Sequence, residues 1–107
     1  MKTIITSTGN SLDAEFDSRF GRASWFCLFN EESGEALFYK NSADEATQGA
    51  CRLAATRVKE LGASRVISGH FGPNANKLLK KHEIQMVIPE SKNQTIQEIV
   101  NELNPTT

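Results

Sequence analysis

The chain has 107 residues, 38% hydrophobic and 23% charged, with a formal net charge of −1, a size that suits one domain with one core and no covalent staples. The charge balance excludes a global field that would draw in nucleic acid or an acidic membrane, so any anion site has to be local. No apolar stretch approaches the roughly 18 residues of a membrane span, and two cysteines, Cys27 and Cys51, are too few for a disulfide framework.

The segment Met1-Lys2-Thr3-Ile4-Ile5-Thr6 turns polar too soon for a signal peptide, so the expected compartment is the cytoplasm. Lys2 to Thr6 is short and β-branched and runs into Ser7-Thr8-Gly9-Asn10, a strand followed by a loop. Farther on, Arg19 and Arg22 flank Phe20-Gly21 directly ahead of the apolar run Trp25 to Phe29. Such a continuous run fits a strand covered on both faces. Asn30 to Gly34 is turn chemistry, and Ala36 to Lys40 reads as the second arm of a hairpin at a sheet edge.

The period then changes. Ala46, Ala50, Leu53, Ala54, Val58 and Leu61 fall on one helical face, and Gly62 stops it. The helix start is open between a Ser42–Glu45 capping box near Asp44 and a later start at Gly49. Arg65 to Ser68 predicts a strand, Gly69-His70-Phe71-Gly72 a glycine loop, and Pro73 the first position of a helix to about Lys81. Gln85 to Ile88 predicts a strand ended by Pro89. Thr95-Ile96-Gln97-Glu98 is a second capping box, with Ile96, Ile99, Val100 and Leu103 as the apolar stripe. Residues 104–107 read as a frayed tail beyond a single domain of residues 1–103.

This order predicts an α/β fold of three α/β/α layers, with a mixed five-stranded sheet, helices on both faces and the first strand at its centre. Ligands of such sheets sit outside the carboxyl ends of the parallel strands. Three segments are expected to gather there: Ser7 to Asn10, Gly69 to Gly72, and Thr47-Gln48-Gly49-Ala50-Cys51. Two of them lead into helix N-termini, whose free N–H groups favour an anion. Arg19 and Arg22 either complete that pocket or pair on the surface with Asp13, Glu15 or Asp17. His70 is either a ligand or anion donor, or an exposed loop histidine. Cys51 is either a thiol that ligates a soft metal or a small residue on the helix's inner face. Cys27 reads as core, His82 as a cation at a helix end, and Trp25 and Phe26 as core or pocket wall.

No CxxC, HExxH or Walker A sequence is present, and the Gly69–Gly72 spacing is not a dinucleotide fingerprint. No serine has an obvious histidine and carboxylate set around it. Basic and aromatic residues do not interleave on any one element, which argues against nucleic-acid binding. The residues give enzymatic chemistry little support.

Asp17-Ser18-Arg19-Phe20-Gly21-Arg22-Ala23-Ser24-Trp25-Phe26 resembles the D-x-RFGRA-x-x-F signature of the dinitrogenase iron–molybdenum cofactor biosynthesis family. The segment from Gln48 to Leu79 resembles the same family's central block, in which a G-A-G-like helix start leads through L-x-x-x-G-V to G-x-x-G-P-N-A. Register and spacing agree from about Met1 to Leu103.

The resemblance implies a ribonuclease-H-like α/β/α fold and non-catalytic binding of metal–sulfur clusters. Family members include nitrogenase accessory carriers and small stand-alone orange proteins that hold a molybdenum–copper sulfide cluster. Carried over by motif, the cluster or anion site comprises Arg19, Gly21, Arg22, Gly49, Gly69, Gly72, Pro73 and Asn74. His70 and Cys51 join it as candidate metal ligands on their chemistry. Members often carry histidine before the G-A-G motif. Here Asn41 to Gln48 has none, and Gly49-Ala50-Cys51 puts a thiol at the third position. The expected function is a carrier of an anionic metal–sulfur cluster or precursor containing molybdenum, iron or copper, with cluster-assembly or acceptor proteins as partners and neither nucleic acid nor membrane. The alternative is an interaction or regulatory module that kept the fold without a cluster. A phosphoryl-transfer or nuclease enzyme would need carboxylates on the central strands, and Thr3 to Thr6 has none.

Overall fold

Adjacent residues of the first strand serve two different cores. The computed structural model describes residues 1–41, 49–91 and 93–103. In it β1 (Lys2–Ser7) is buried from Thr3 onward. Ile4 packs into a core shared with α1 (Ala50–Glu60) and α2 (Pro73–Lys81), and Ile5 into one shared with α3 (Ile96–Leu103). Side chains alternate across a strand, so apolar residues at consecutive positions require cover on both faces.

The sheet has five strands in the order β3-β2-β1-β4-β5. β2 (Trp25–Asn30) and β3 (Ala36–Lys40) form the antiparallel hairpin. β4 (Arg65–Ile67) and β5 (Gln85–Val87) run parallel to β1 on its other side. The first strand is central and the hairpin arm lies at an edge, as the element order implies. Ile4 stands opposite Leu28 and Val66, while Ile5 stands opposite Cys27 and Ile67. Three layers follow directly from these two sets of side chains.

Between β1 and β2 the chain passes over the carboxyl end of the sheet. Phe16 enters the α3-side core and Phe20 the α1/α2-side core. Phe20 stacks on Phe26 at 6.2 Å and meets Phe71 at 5.6 Å. At the opposite end of the sheet, Arg65 Nη2 donates to Glu31 Oε1 at 2.8 Å and Arg65 Nε to Thr3 Oγ1 at 3.2 Å.

Several local expectations shift. α1 starts at Ala50 with Gly49 as its cap, while the Ser42–Glu45 box, Ala46 to Gln48 and the tail Asn104 to Thr107 lie outside the described residues. Leu53, expected on the core face, is 51% exposed. It sits about 120° around the helix from the Ala54–Val58 direction that meets the sheet, and the small Ala55 takes the inner position on the other flank. β4 stops at Ile67, although the Ser68 amide still donates to Val87 O at 3.1 Å. β5 ends at Val87, leaving Ile88 exposed. Among the described residues no helix is long and apolar enough to cross a membrane.

Candidate functional site

Two buried hydroxyls lie beneath the loop that leads into the site. Thr6 lies near the end of β1 and Ser68 follows β4, and their oxygens are 3.0 Å apart. The Thr6 hydroxyl also donates to the Asp17 carbonyl, and the Ser68 hydroxyl to the Ser18 carbonyl at 3.4 Å. The Asp17 amide returns a bond to Thr6 O at 3.0 Å. These bonds lay Asp17 and Ser18 across the strand ends. A Cβ on Gly69 would stand 2.5 Å from Ser18 Cβ and 2.8 Å from its Cα, so the crossing needs a glycine. From the other side, buried Asn41 donates through Nδ2 to Gly21 O at 3.2 Å and Ala23 O at 2.7 Å.

The loop held in this way walls a cleft of about 950 Å³. Arg19, Phe20, Gly21 and Arg22 line it from the loop. Gly49, Ala50, Arg52 and Leu53 line it from the start of α1, and His70, Gly72, Asn74, Lys77 and Leu78 from the approach to α2 and its first turns. Arg19 and His70 also pair as an isolated parallel bridge. The structure therefore brings Arg19, Gly21, Arg22, Gly49, His70, Gly72 and Asn74 around one cleft. Gly69 is placed beneath the loop rather than on the cleft wall. Cys51 lies in the first turn of α1, next to Ala50, and its side chain is outside the described residues.

The lining is cationic. Arg19, Arg22, Arg52 and Lys77 contribute to it, and no described lining residue is a carboxylate. Behind the wall, Asp17 is 5% exposed and accepts from Arg19 Nε at 3.1 Å, from Nη2 at 2.9 Å and from the Arg19 amide at 2.9 Å. Arg19 thus fits both readings offered for it, pairing with Asp17 and lining the cleft. Gly49 caps α1 in the left-handed region (φ 72°) and Gly72 caps α2 in an extended conformation, and neither supplies a side-chain cap bond. First-turn amides of both helices therefore lie at the cleft, where they favour negative charge. Phe20, Leu53 and Leu78 add apolar surface.

Among the described residues no group of three or more His, Cys, Asp or Glu is arranged to hold a metal ion. Cys27 is buried in the α3-side core, and burial pushes its thiol up to about 12, away from the thiolate form that binds metal. The described lining offers charge, hydrogen bonds and apolar contact, with His70 as its one imidazole. Arg52, Leu53, Lys77 and Leu78 are lining residues that motif reasoning did not select. Their signal in the sequence is position alone, within the first two turns of helices whose N-termini point to the pocket.

A second cavity of about 180 Å³, lined by Glu15, Gln94, Thr95 and Glu98 among others, lies at the start of α3. Glu98 and Thr95 are engaged there in the capping box: Thr95 N donates to Glu98 Oε1 at 2.9 Å and Glu98 N to Thr95 Oγ1 at 3.2 Å.

The family model described as dinitrogenase iron-molybdenum cofactor matches residues 1–105. The apo form of the orange protein from Desulfovibrio gigas is 27% identical, with a TM-score of 0.88 over 94% of this chain and 84% of that one. A NifB-like protein from Thermotoga shares the fold at 24% identity, with a TM-score of 0.76 over 94% of this chain and 84% of its own. No curated protein matches.

Proposed function

We propose that this chain, which belongs to the dinitrogenase iron–molybdenum cofactor family, is a non-catalytic carrier of an anionic metal–sulfur cluster or its precursor. The observation that carries the reading is the cleft itself: four cations, two helix N-termini and an apolar wall around one volume, with no carboxylate in the described lining. A sulfide-rich anion needs that combination. Its charge is met by guanidinium, ammonium and backbone N–H groups, and its weakly hydrated sulfur surface by Phe20, Leu53 and Leu78. The likeness to a protein solved in an apo form supports a ligand-binding role. Molybdenum, iron and copper are the proposed metals, with Cys51 and His70 as the proposed protein ligands. Cluster-assembly or acceptor proteins are the proposed partners.

The test is metal analysis with a visible absorption spectrum, on protein purified without oxygen from its native host. Stoichiometric molybdenum, iron or copper with charge-transfer bands is the expected result. Colourless, metal-free protein that takes up neither tetrathiomolybdate nor an iron–sulfur precursor would overturn the carrier reading in favour of an interaction module.

A further inference from the structure

The cations around the cleft are not equivalent. Arg19 is bound through two guanidinium nitrogens to the buried carboxylate of Asp17, so its charge is largely matched before any ligand arrives. Arg52 and Lys77 differ. Both are exposed, both line the cleft, and neither takes part in an ion pair among the described residues. They come from two different helices, α1 and α2, and each is followed by a lining leucine, Leu53 or Leu78. Each helix thus brings one cation and one apolar side chain to the same cavity.

From this arrangement we infer that Arg52 and Lys77 set the charge selectivity of the cleft, favouring soft dianions and more highly charged anions over monoanions of the same shape. The inference rests on the reading of the cleft as an anionic-cargo site and adds which residues read the charge. Coulomb attraction scales with the product of the two charges. Each cation therefore helps a dianion twice as much, in free energy, as a monoanion in the same position. Without Arg52 and Lys77 the cleft keeps only Arg22 beside the Asp17–Arg19 pair, and its preference for the dianion shrinks.

The test uses two tetrahedral thio-anions of closely similar shape, tetrathiomolybdate (2−) and tetrathioperrhenate (1−), measured by anaerobic equilibrium dialysis at low ionic strength. The variants are Arg52→Gln with Lys77→Gln, and each single substitution. The control is Lys59→Gln with Lys80→Gln, which removes the same total charge from the last turns of α1 and α2. Thermal unfolding verifies that every variant is folded. The wild-type chain should prefer the dianion. The Arg52/Lys77 double variant should lose about fivefold in affinity for the monoanion and about twenty-fivefold for the dianion, with each single variant showing about half of this on a logarithmic scale. The control should keep the wild-type preference. Wild-type binding with the preference intact in the Arg52/Lys77 variant, or equally lost in the control, overturns the inference alone. No measurable binding of either ion by the wild type overturns both the inference and the carrier reading.

Discussion

Gly69 and Arg19 both hold the loop that walls the cleft, a role their motifs do not announce. At Gly69 an added methyl would press on the Ser18 backbone at 2.8 Å, where no flexible side chain can yield. Gly69→Ala is expected to destabilise the fold by about 1–3 kcal/mol, read as a lower midpoint in denaturant unfolding. It should also loosen the loop that carries Arg19 and Arg22. An unchanged midpoint would mean that the loop crosses the strand ends with more room than the structure gives it. The two arginines should separate in the same assay. Arg19→Ala strips the buried Asp17 carboxylate of its guanidinium partner and should cost about 1 kcal/mol, while exposed Arg22→Ala should keep the unfolding free energy within about 0.5 kcal/mol of wild type. Both should weaken tetrathiomolybdate binding. Wild-type stability of Arg19→Ala would show that the Asp17–Arg19 pair contributes nothing measurable to the fold.

At the scale of elements, the three helices start differently. α3, away from the cleft, has a closed Thr95–Glu98 box. α1 and α2, whose N-termini line the cleft, begin at glycines with no side-chain cap. Gly49 has φ 72°, so a side chain there would strain the backbone. Gly72 has φ −68° and ψ 170°, and nothing lies within 4 Å of a Cβ built on it. Geometry therefore does not demand glycine at position 72. Gly72→Ser should add an N-cap oxygen for the amide of Asn74 or Ala75 and gain about 0.5–1 kcal/mol in stability. The same hydroxyl would occupy an amide proposed to face the cargo, so tetrathiomolybdate affinity should fall about threefold. A more stable variant with unchanged binding would remove the α2 amides from the site. The capping box of α3, Pro73 at the start of α2 and the hairpin were legible because each depends on residues near in sequence. Leu53 was not, because apolar character alone does not say on which side of the stripe's centre a residue falls. The cleft membership of Arg52 and Lys77 was not legible either, since it arises only when α1 and α2 lie side by side against the sheet.

Over the whole molecule, net charge and local charge point in opposite directions: the chain carries −1, yet the cleft gathers Arg19, Arg22, Arg52 and Lys77. Sequence totals could exclude a global field but could not show this segregation, which needs distant stretches brought together. The two-sided core was readable, because consecutive apolar residues in β1 and β2 leave no solvent face. That same core makes a prediction about alkaline stability. Cys27, on the α3 side of β2, is fully buried, and burial raises its thiol from 9.0 to about 12. In the unfolded chain the thiol ionises near its ordinary value. Below about pH 9 both states hold the proton, and Cys27 gives stability no pH dependence. Above it the unfolded state releases the proton while the folded state keeps it, so the unfolded state binds fewer protons and stability falls as pH rises. The loss should therefore develop between pH 9 and about 12. Cys27→Ala should lower the stability at pH 7 through lost packing and flatten this alkaline decline, as measured by denaturant unfolding across the window. A Cys27→Ala variant that loses stability with the same slope as wild type would assign the decline to other groups and show that the thiol titrates no differently in the folded core.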